Sequence, residues 1–141
     1  MCLLIVGCAT GPKFETTAVP RDGKALVYVY RKGSMVGAAG YSRIYVNNEF
    51  LTKLRNSGYA PCEVPPGTVT FTTLTRVEWA LPTLAALSSL QKKQHERLRI
   101  QVDVGKTYYV KWSIGDEMTL VDRAQGAKEI KGLHLSKLGE D

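Results

Sequence analysis

Hydrophobic residues along most of this chain recur at the two-residue spacing of a β-strand. Residues 97–104 show the pattern clearly, because polar and apolar positions alternate so that one strand face would be buried and the other wet. The apolar positions there are Leu98, Ile100, Val102 and Val104. Residues 25–31 are apolar on both faces, which is typical of a central strand. Turn residues separate such segments roughly every 8–12 positions, and this rhythm predicts an all-β meander.

Residues 59–71 predict one short strand, a tight turn and a second strand. Pro65 and Pro66 fix φ and remove two backbone donors, so that no central ladder can continue through them. Gly67 then supplies the conformational freedom that a turn needs. After the turn, Val69 and Phe71 lie on one face of the second strand, opposite a row of threonines.

Residues 81–95 interrupt the strand pattern and predict a short helix. Pro82 suits a first helical turn, and leucines recur at every third position from Leu81 to Leu90. Two interpretations remain open. The helix either covers one end or edge of the sheet, or lies on an anionic membrane with aromatic and basic residues at head-group depth. The candidate membrane or partner contacts are Trp79, Leu84, Lys92, Lys93 and Arg97.

Together these elements predict a mainly β fold, namely a single-domain antiparallel β-sandwich of about 7–8 short strands with one inserted helix. The sandwich is expected to occupy residues 25–141. Residues 9–24 are rich in Gly, Pro, Thr and charge, which predicts a flexible tether. The last twenty residues carry scattered apolar positions that fit either a docking strand or a helix. Those positions are Ile130, Leu133, Leu135 and Leu138.

Charge and cysteine content narrow the function classes. The chain has 141 residues and a formal charge of +6, but its Lys and Arg residues are scattered and accompany no nucleic-acid-binding motif. Of the three cysteines, Cys62 alone lies in the predicted sandwich, where we expect it to act as a small apolar residue. No Cys and His residues stand at zinc spacing, so we expect neither a metal site nor a cofactor.

Catalytic motifs are absent from the sequence. It contains no Gly-x-Ser-x-Gly, His-Glu-x-x-His or Cys-x-x-Cys, and the glycines of residues 33–40 match no phosphate-binding spacing. The two histidines, His95 and His134, stand in charged, surface-like contexts. We therefore expect a non-enzymatic protein.

The first residues suggest where in the cell the protein is located. Residues 3–8 form an apolar run that ends in Gly and Cys, and they resemble the lipobox of bacterial lipoproteins. The resemblance implies that residues 1–8 are the remnant of a signal peptide and that Cys8 is the lipid attachment site. Ala9 after the cysteine resembles sorting to the outer membrane, facing the periplasm. The alternative is that residues 2–6 form a buried first strand.

Three segments that follow the lipobox-like sequence carry a family resemblance: residues 23–31, 63–67 and 105–110. Their succession resembles the bacterial domain-of-unknown-function family numbered 2846, small lipoprotein-like β-sandwich domains, over residues 23–121. The resemblance implies a β-sandwich and an envelope location, and it transfers no catalytic or binding residues.

We therefore expect a lipid-anchored envelope protein whose loops, chiefly residues 33–40 and 92–99, contact a protein, peptidoglycan or glycolipid. The alternative is a soluble or periplasmic module that binds a sugar or glycan through an aromatic face. That face would consist of Tyr45, Tyr59, Tyr108 and Trp112, and it requires Trp112 to be exposed.

Overall fold

A computed structural model describes residues 8–36, 38, 40–76 and 95–139, and it confirms the predicted β-sandwich. The described elements, in chain order, are β1 (Ala25–Arg31), β2 (Tyr41–Val46), β3 (Glu49–Leu54), β4 (Gly58–Val64), β5 (Gly67–Arg76), β6 (His95–Val102), β7 (Thr107–Ser113), β8 (Glu117–Val121), α1 (Arg123–Ile130) and β9 (His134–Leu135). The helix predicted over residues 81–95 lies outside the described residues, except that His95 begins β6.

The strands form a five-stranded sheet in the order β8-β7-β1-β4-β9 and a four-stranded sheet in the order β3-β2-β5-β6. The predicted meander is wrong at β1, which pairs antiparallel with β4 and parallel with β7 instead of pairing with β2. Every residue of β1 is buried. A strand with two apolar faces buries the most apolar surface at the centre of a sheet. Strand β1 takes that position between β4 and β7, and β2 belongs to the other sheet.

The turn predicted at Pro65, Pro66 and Gly67 is confirmed, and another tight turn joins β2 to β3. Asn47 and Asn48 join β2 to β3 with φ values of 49° and 66°, as a two-residue turn between twisted antiparallel strands requires. Pro65, Pro66 and Gly67 join β4 to β5, and Gly67 has a φ of 121°. Because β4 and β5 belong to different sheets, this second turn carries the chain from one layer of the sandwich to the other.

Apolar side chains pack on both faces of the five-stranded sheet. Its inner face contributes Val27, Val29 and Val110 to the core between the sheets. Its outer face is aromatic and is covered by α1 and by an N-terminal segment. The residues buried there are Phe14, Leu26, Tyr28, Tyr30, Tyr109, Ile130 and Leu133.

Residues 9–18, here called the strap, lie across this outer face, which differs from the tether that the Gly and Pro content predicts. The Phe14 ring is 7% exposed and meets the rings of Tyr28 and Tyr59 edge to face, at 5.3 Å in each case. Further along, the Ala18 N–H donates to the Tyr28 hydroxyl at 2.9 Å. One large aromatic residue in an otherwise polar segment thus finds an apolar site, and its burial holds the strap on the sheet.

The C-terminal residues form both a helix and a strand, the two alternatives that the sequence leaves open for them. Helix α1 begins after Asp122, whose carboxylate accepts a hydrogen bond from the Gln125 N–H at 3.1 Å. Strand β9 then pairs with β4, and the strap lies along the other edge of β9, where the Gly11 N–H donates to the Leu135 carbonyl. Residues 137–139 continue to the edge of β3. The strap and residues 134–139 therefore close one side of the sandwich.

Candidate functional site

Cys8, the predicted lipid attachment site, lies against the connection between β3 and β4 and is partly exposed. The Asn56 side-chain amide donates to the Cys8 sulfur at 3.7 Å, and the Asn56 carbonyl accepts from the Ala9 N–H at 2.9 Å. The Asn56 Oδ1 atom accepts from the Ser34 N–H at 2.9 Å, which fixes the orientation of the amide. Asn56 is 6% exposed and thereby ties the start of the strap to the β1–β2 loop.

Strand pairing places several other segments at the same end of the sandwich. The end of β1 lies beside the start of β4, since Arg31 pairs with Gly58, and the parallel strand β7 ends there too. The last residue of β5, Arg76, pairs with the first residue of β2. We call this the Cys8 end, and its described parts are Cys8 with residues 31–36, 53–57 and 112–116. The opposite, distal end carries the turns at residues 47–48, 65–67 and 103–106.

Three apolar side chains at the Cys8 end face solvent. Met35 is 97% exposed and Val36 is 68% exposed, and both follow Ser34 in the β1–β2 loop. Ile114, in the β7–β8 turn, is 52% exposed. The loop lies so close to the β3–β4 connection that a Cβ atom added at Gly33 would overlap the Ser57 hydroxyl. Met35 and Val36 thus follow Ser34, whose N–H is hydrogen-bonded to Asn56, and Asn56 also contacts Cys8.

A basic groove begins beside Cys8. It has a volume of about 640 Å³, and its lining runs from Ala9 through the ends of β3 and β9. The charged residues of its described lining are Lys53, Arg55 and Lys137. Lys53 and Arg55 both approach the Tyr41 ring, at 5.6 and 5.1 Å from its centroid, a cation–π arrangement that holds their stems in place.

A second groove, of about 490 Å³, lies between the β1–β2 loop and the β7–β8 turn. Its basic lining residues are Arg31, Lys32 and Lys111. Lys32 and Lys111 form ion pairs with Glu129 of α1, at 3.3 and 2.9 Å. Burial acts to raise the pKa of Glu129, but hydrogen bonds, chiefly from Lys111, lower it to about 2. Two lysines of this second groove therefore share one carboxylate within the protein.

A buried carboxylate stiffens the Cys8 end. Asp116 is 9% exposed, and its Oδ1 atom accepts from the Trp112 indole N–H at 2.7 Å and from the Ser42 hydroxyl at 2.8 Å. Its Oδ2 atom accepts from the Thr73 hydroxyl at 2.8 Å and lies 3.5 Å from the Arg97 guanidinium. Since Asp116 follows β7 whereas Ser42 and Thr73 belong to the other sheet, this cluster joins the two layers.

The structure gives one of the predicted contact residues a structural role. Arg97 donates from Nε to the Thr73 hydroxyl at 3.0 Å and pairs with Asp116, so that much of its charge is engaged within the protein. The other four candidates, Trp79, Leu84, Lys92 and Lys93, lie outside the described residues. In the sequence these four residues lie between Arg76, which ends β5, and His95, which begins β6, and both strand ends belong to the Cys8 end.

The four aromatic residues of the alternative glycan site do not form one exposed face. Trp112 is 6% exposed and is buried beneath Arg31, whose guanidinium carbon lies 4.5 Å from the ring centroid. Tyr59 packs on Phe14 at the outer face of the five-stranded sheet, whereas Tyr45 packs on Phe50 in the other sheet. Tyr108 packs against the inner core. The exposure that the glycan hypothesis requires of Trp112 is thus not found.

Reactive groups are few in the part of the chain that the structure describes. Burial, together with Glu49 and Glu63, raises the pKa of the Cys62 thiol to about 11, so that almost none of it is the reactive thiolate at neutral pH. No group of three or more His, Cys, Asp or Glu residues with metal-binding geometry occurs among the described residues. Within the same residues, no helix has the length and apolar character needed to cross a bilayer.

No curated protein and no solved structure matches the chain. A family model described as protein of unknown function (DUF2846) matches residues 21–126, which extend from the residues before β1 into α1. Cys8, the strap and β9 lie outside the matched range. The match covers about three quarters of the chain and contains the three segments on which the family resemblance depends. The chain therefore belongs to the DUF2846 family.

Proposed function

We propose that this chain is a non-enzymatic domain of the bacterial cell envelope, anchored by lipid on Cys8 in the periplasmic leaflet of the outer membrane. The observation that carries the proposal is the lipobox-like sequence of residues 3–8. It ends at a cysteine that stands at the margin of the folded body, where a bulky acyl group can extend outward without displacing a core residue.

The chemistry around the Cys8 sulfur is compatible with acylation. A diacylglyceryl group would convert the thiol to a thioether, whose sulfur has no hydrogen to donate and keeps its lone pairs. The Asn56 amide already acts as the donor in its contact with Cys8, with its Oδ1 atom occupied by Ser34. The packing of Asn56 on residue 8 would therefore survive the modification.

An anchor on Cys8 turns the distal end of the sandwich toward the periplasm. We propose that a protein, peptidoglycan or glycolipid partner is bound from that side, by the turns at residues 47–48, 65–67 and 103–106. The partner loop that the sequence suggests at residues 33–40 starts beside the anchor, where Ser34 bonds to Asn56, and in this arrangement it lies on the membrane side. The membrane contact predicted for Trp79, Leu84, Lys92 and Lys93 remains a prediction, supported by the attachment of their segment at the Cys8 end.

The proposal is tested by expressing the gene with its upstream region in a Gram-negative host, beside Cys8→Ser, and measuring intact mass and membrane fractionation. We expect a mass gain that corresponds to acylation and retention in the outer membrane, both lost in Cys8→Ser. Cys62→Ser serves as the matched control and should leave both unchanged. An unmodified, soluble wild-type protein would refute the anchor.

A further inference from the structure

We propose that the outer face of the five-stranded sheet binds an extended segment of a partner protein, and that the strap occupies this site as a competitor within the chain. The site consists of the edge of β9 that faces away from β4 and of three tyrosines that the strap contacts, here called the tyrosine face. They are Tyr28, Tyr59 and Tyr109. The inference goes beyond the proposed function and does not depend on the lipid anchor, because Cys8 takes no part in the site.

The strap is bound in the way that a partner strand binds to the edge of a sheet. It lies antiparallel to β9. The Leu135 N–H donates to the Pro12 carbonyl at 2.8 Å. The Phe14 N–H donates to the Leu133 carbonyl at 2.7 Å. Main-chain hydrogen bonds of this kind select no particular sequence, so another extended segment can form them with the same edge.

A single side chain holds the strap on the tyrosine face. Phe14 is the only buried residue among residues 10–18, and its ring meets two of the three tyrosine rings edge to face. The hydroxyls of Tyr28 and Tyr109 hydrogen-bond to the strap beyond Phe14, at 2.9 and 2.8 Å. Side chains that combine a large apolar surface with a hydroxyl are typical of recognition surfaces, where a few residues carry most of the binding energy. A competing segment therefore needs an extended backbone and one aromatic side chain.

The strap fills its site only in part. A groove of about 470 Å³ remains between the strap and Tyr28, Tyr59 and Pro61. A segment with an aromatic side chain at the position of Phe14 and larger side chains beside it can fill this groove as well. Such a segment would contact more of the tyrosine face than the strap does, and it would gain affinity from the additional apolar contact.

The connection between the strap and β1 allows the strap to leave. Residues 19–24 are mostly exposed, and the ion pair between Arg21 and Glu63 contributes little, since the Arg21 side chain is 83% exposed. The family match contains the tyrosine face but not the strap. The strap can therefore be displaced while the strand pairing of the matched domain stays unchanged.

The test uses the full chain and a fluorescent peptide with the sequence of residues 9–18, with binding measured by fluorescence anisotropy. Loss of a buried aromatic side chain in Phe14→Ala should weaken docking of the strap at least about a hundredfold. The attached strap has an effective concentration of about 1 mM, so the peptide should bind Phe14→Ala with a Kd of about 10 µM or below and wild type at least about a hundredfold more weakly. Val19→Ala is the matched control and should bind as weakly as wild type. The same peptide with Phe14→Ala should not bind.

Two comparisons separate recognition of an extended segment from a fit peculiar to the strap. A peptide that keeps Phe14 but has Ala in place of Lys13 and Glu15, which are exposed in the strap, should bind within about threefold of the original. In the Phe14→Ala protein, Tyr59→Ala should lower the affinity for the peptide at least about tenfold. Tyr45→Ala should not, because Tyr45 belongs to the other sheet. Far-UV circular dichroism verifies that each variant is folded.

A second readout does not depend on the folding of a variant. About 5 mM unlabelled peptide exceeds the effective concentration of the strap, so it should displace the strap from isotope-labelled wild-type protein. The Phe14 N–H then loses its bond to Leu133, and its exchange with solvent should become at least about tenfold faster, while the N–H groups of β1 keep their protection.

Several results would overturn the proposal. They are no binding of the peptide to folded Phe14→Ala protein up to about 1 mM, equal binding to this variant and to wild type, loss of binding when Lys13 and Glu15 are replaced, and unchanged exchange of the Phe14 N–H in wild type. A wild-type dimer that Phe14→Ala abolishes would also overturn it, because that result would assign the site to the strap of a second copy of the chain.

Discussion

Replacing Asp116 by Asn tests whether the buried carboxylate joins the two sheets. Asn keeps the shape of the side chain and tolerates the φ of 63° at this position, so that backbone strain does not enter the comparison. The carboxylate accepts hydrogen bonds of 2.7–2.8 Å from Trp112, Ser42 and Thr73, among its described partners. In Asn one oxygen becomes an N–H donor, and the charge that faces Arg97 is lost.

The expected loss of stability follows from the hydrogen bonds. A hydrogen bond to a charged group contributes about 1.5–3 kcal/mol and a neutral one about 0.5–1.5 kcal/mol, so each of the three bonds loses about 1 kcal/mol. The free energy of unfolding should therefore fall by about 3 kcal/mol, which is a large share of the roughly 5–15 kcal/mol of a typical domain. Asp116→Ala should lose a further 1–2 kcal/mol or so, because Ala is disfavoured at positive φ.

Urea denaturation followed by far-UV circular dichroism measures this loss, and the midpoint should fall by about 1–2 M. Glu117→Gln is the matched control, since Glu117 is the exposed neighbour of Asp116 and its substitution removes the same charge. A loss below about 1 kcal/mol for Asp116→Asn, or one equal to that of Glu117→Gln, would refute a structural role for the cluster.

Three further predictions concern the outer face of the five-stranded sheet. Phe14→Ala should destabilise the protein by about 3–4 kcal/mol and speed amide exchange of the strap. Val19→Ala should do neither, because the Val19 side chain is 88% exposed. An unchanged exchange pattern in Phe14→Ala would contradict the packing of the strap. Gly126→Ala should lower the melting temperature by several degrees, because its Cβ atom would overlap Tyr109; a stability equal to wild type would show that α1 has room to shift. The pKa of Glu129 is about 2 in the folded protein and about 4.3 in the unfolded chain. The stability that its ionised form adds is therefore complete above about pH 5 and is lost as the pH falls toward 2. Glu129→Gln should flatten this part of the pH–stability curve, and a curve of unchanged slope would refute the assignment.

The strand pattern could be predicted from the sequence because alternation and turn chemistry are local. Residues 25–31 have two apolar faces, and Asn47-Asn48 and Pro65-Pro66-Gly67 have the special backbone requirements of turns. Strand partners could not be predicted in the same way. The parallel pairing of β1 with β7 joins segments that lie far apart in the sequence, and the sequence of neither strand identifies its pairing partner.

The strap shows why composition misleads when one residue dominates. Residues 9–18 are polar and rich in turn formers, but the burial of Phe14 against two tyrosines outweighs these preferences. A lone large aromatic residue in a polar segment is the signal that could have identified the contact.

The candidate site is harder to find from the sequence, because its residues are assembled by the fold. Cys8 is marked by a local motif, but its partner Asn56 appears only as one residue of a polar turn. Met35 and Ile114 carry no signal of their own, since single apolar residues in loops are common. What makes them notable is their shared end of the sandwich, and that depends on the pairing of β1 with β7.

The closure of one side of the sandwich by the strap and residues 134–139 has a consequence for how the protein folds during synthesis. Strand β4 acquires β9 as its outer neighbour only when residues 134–135 have been synthesised, and residues 137–139 then bond to the edge of β3. A chain that emerges N-terminus first therefore carries open strand edges until residues 134–139 are available, and such edges are templates for aggregation. A chaperone that holds the chain would protect the protein most while these edges are open.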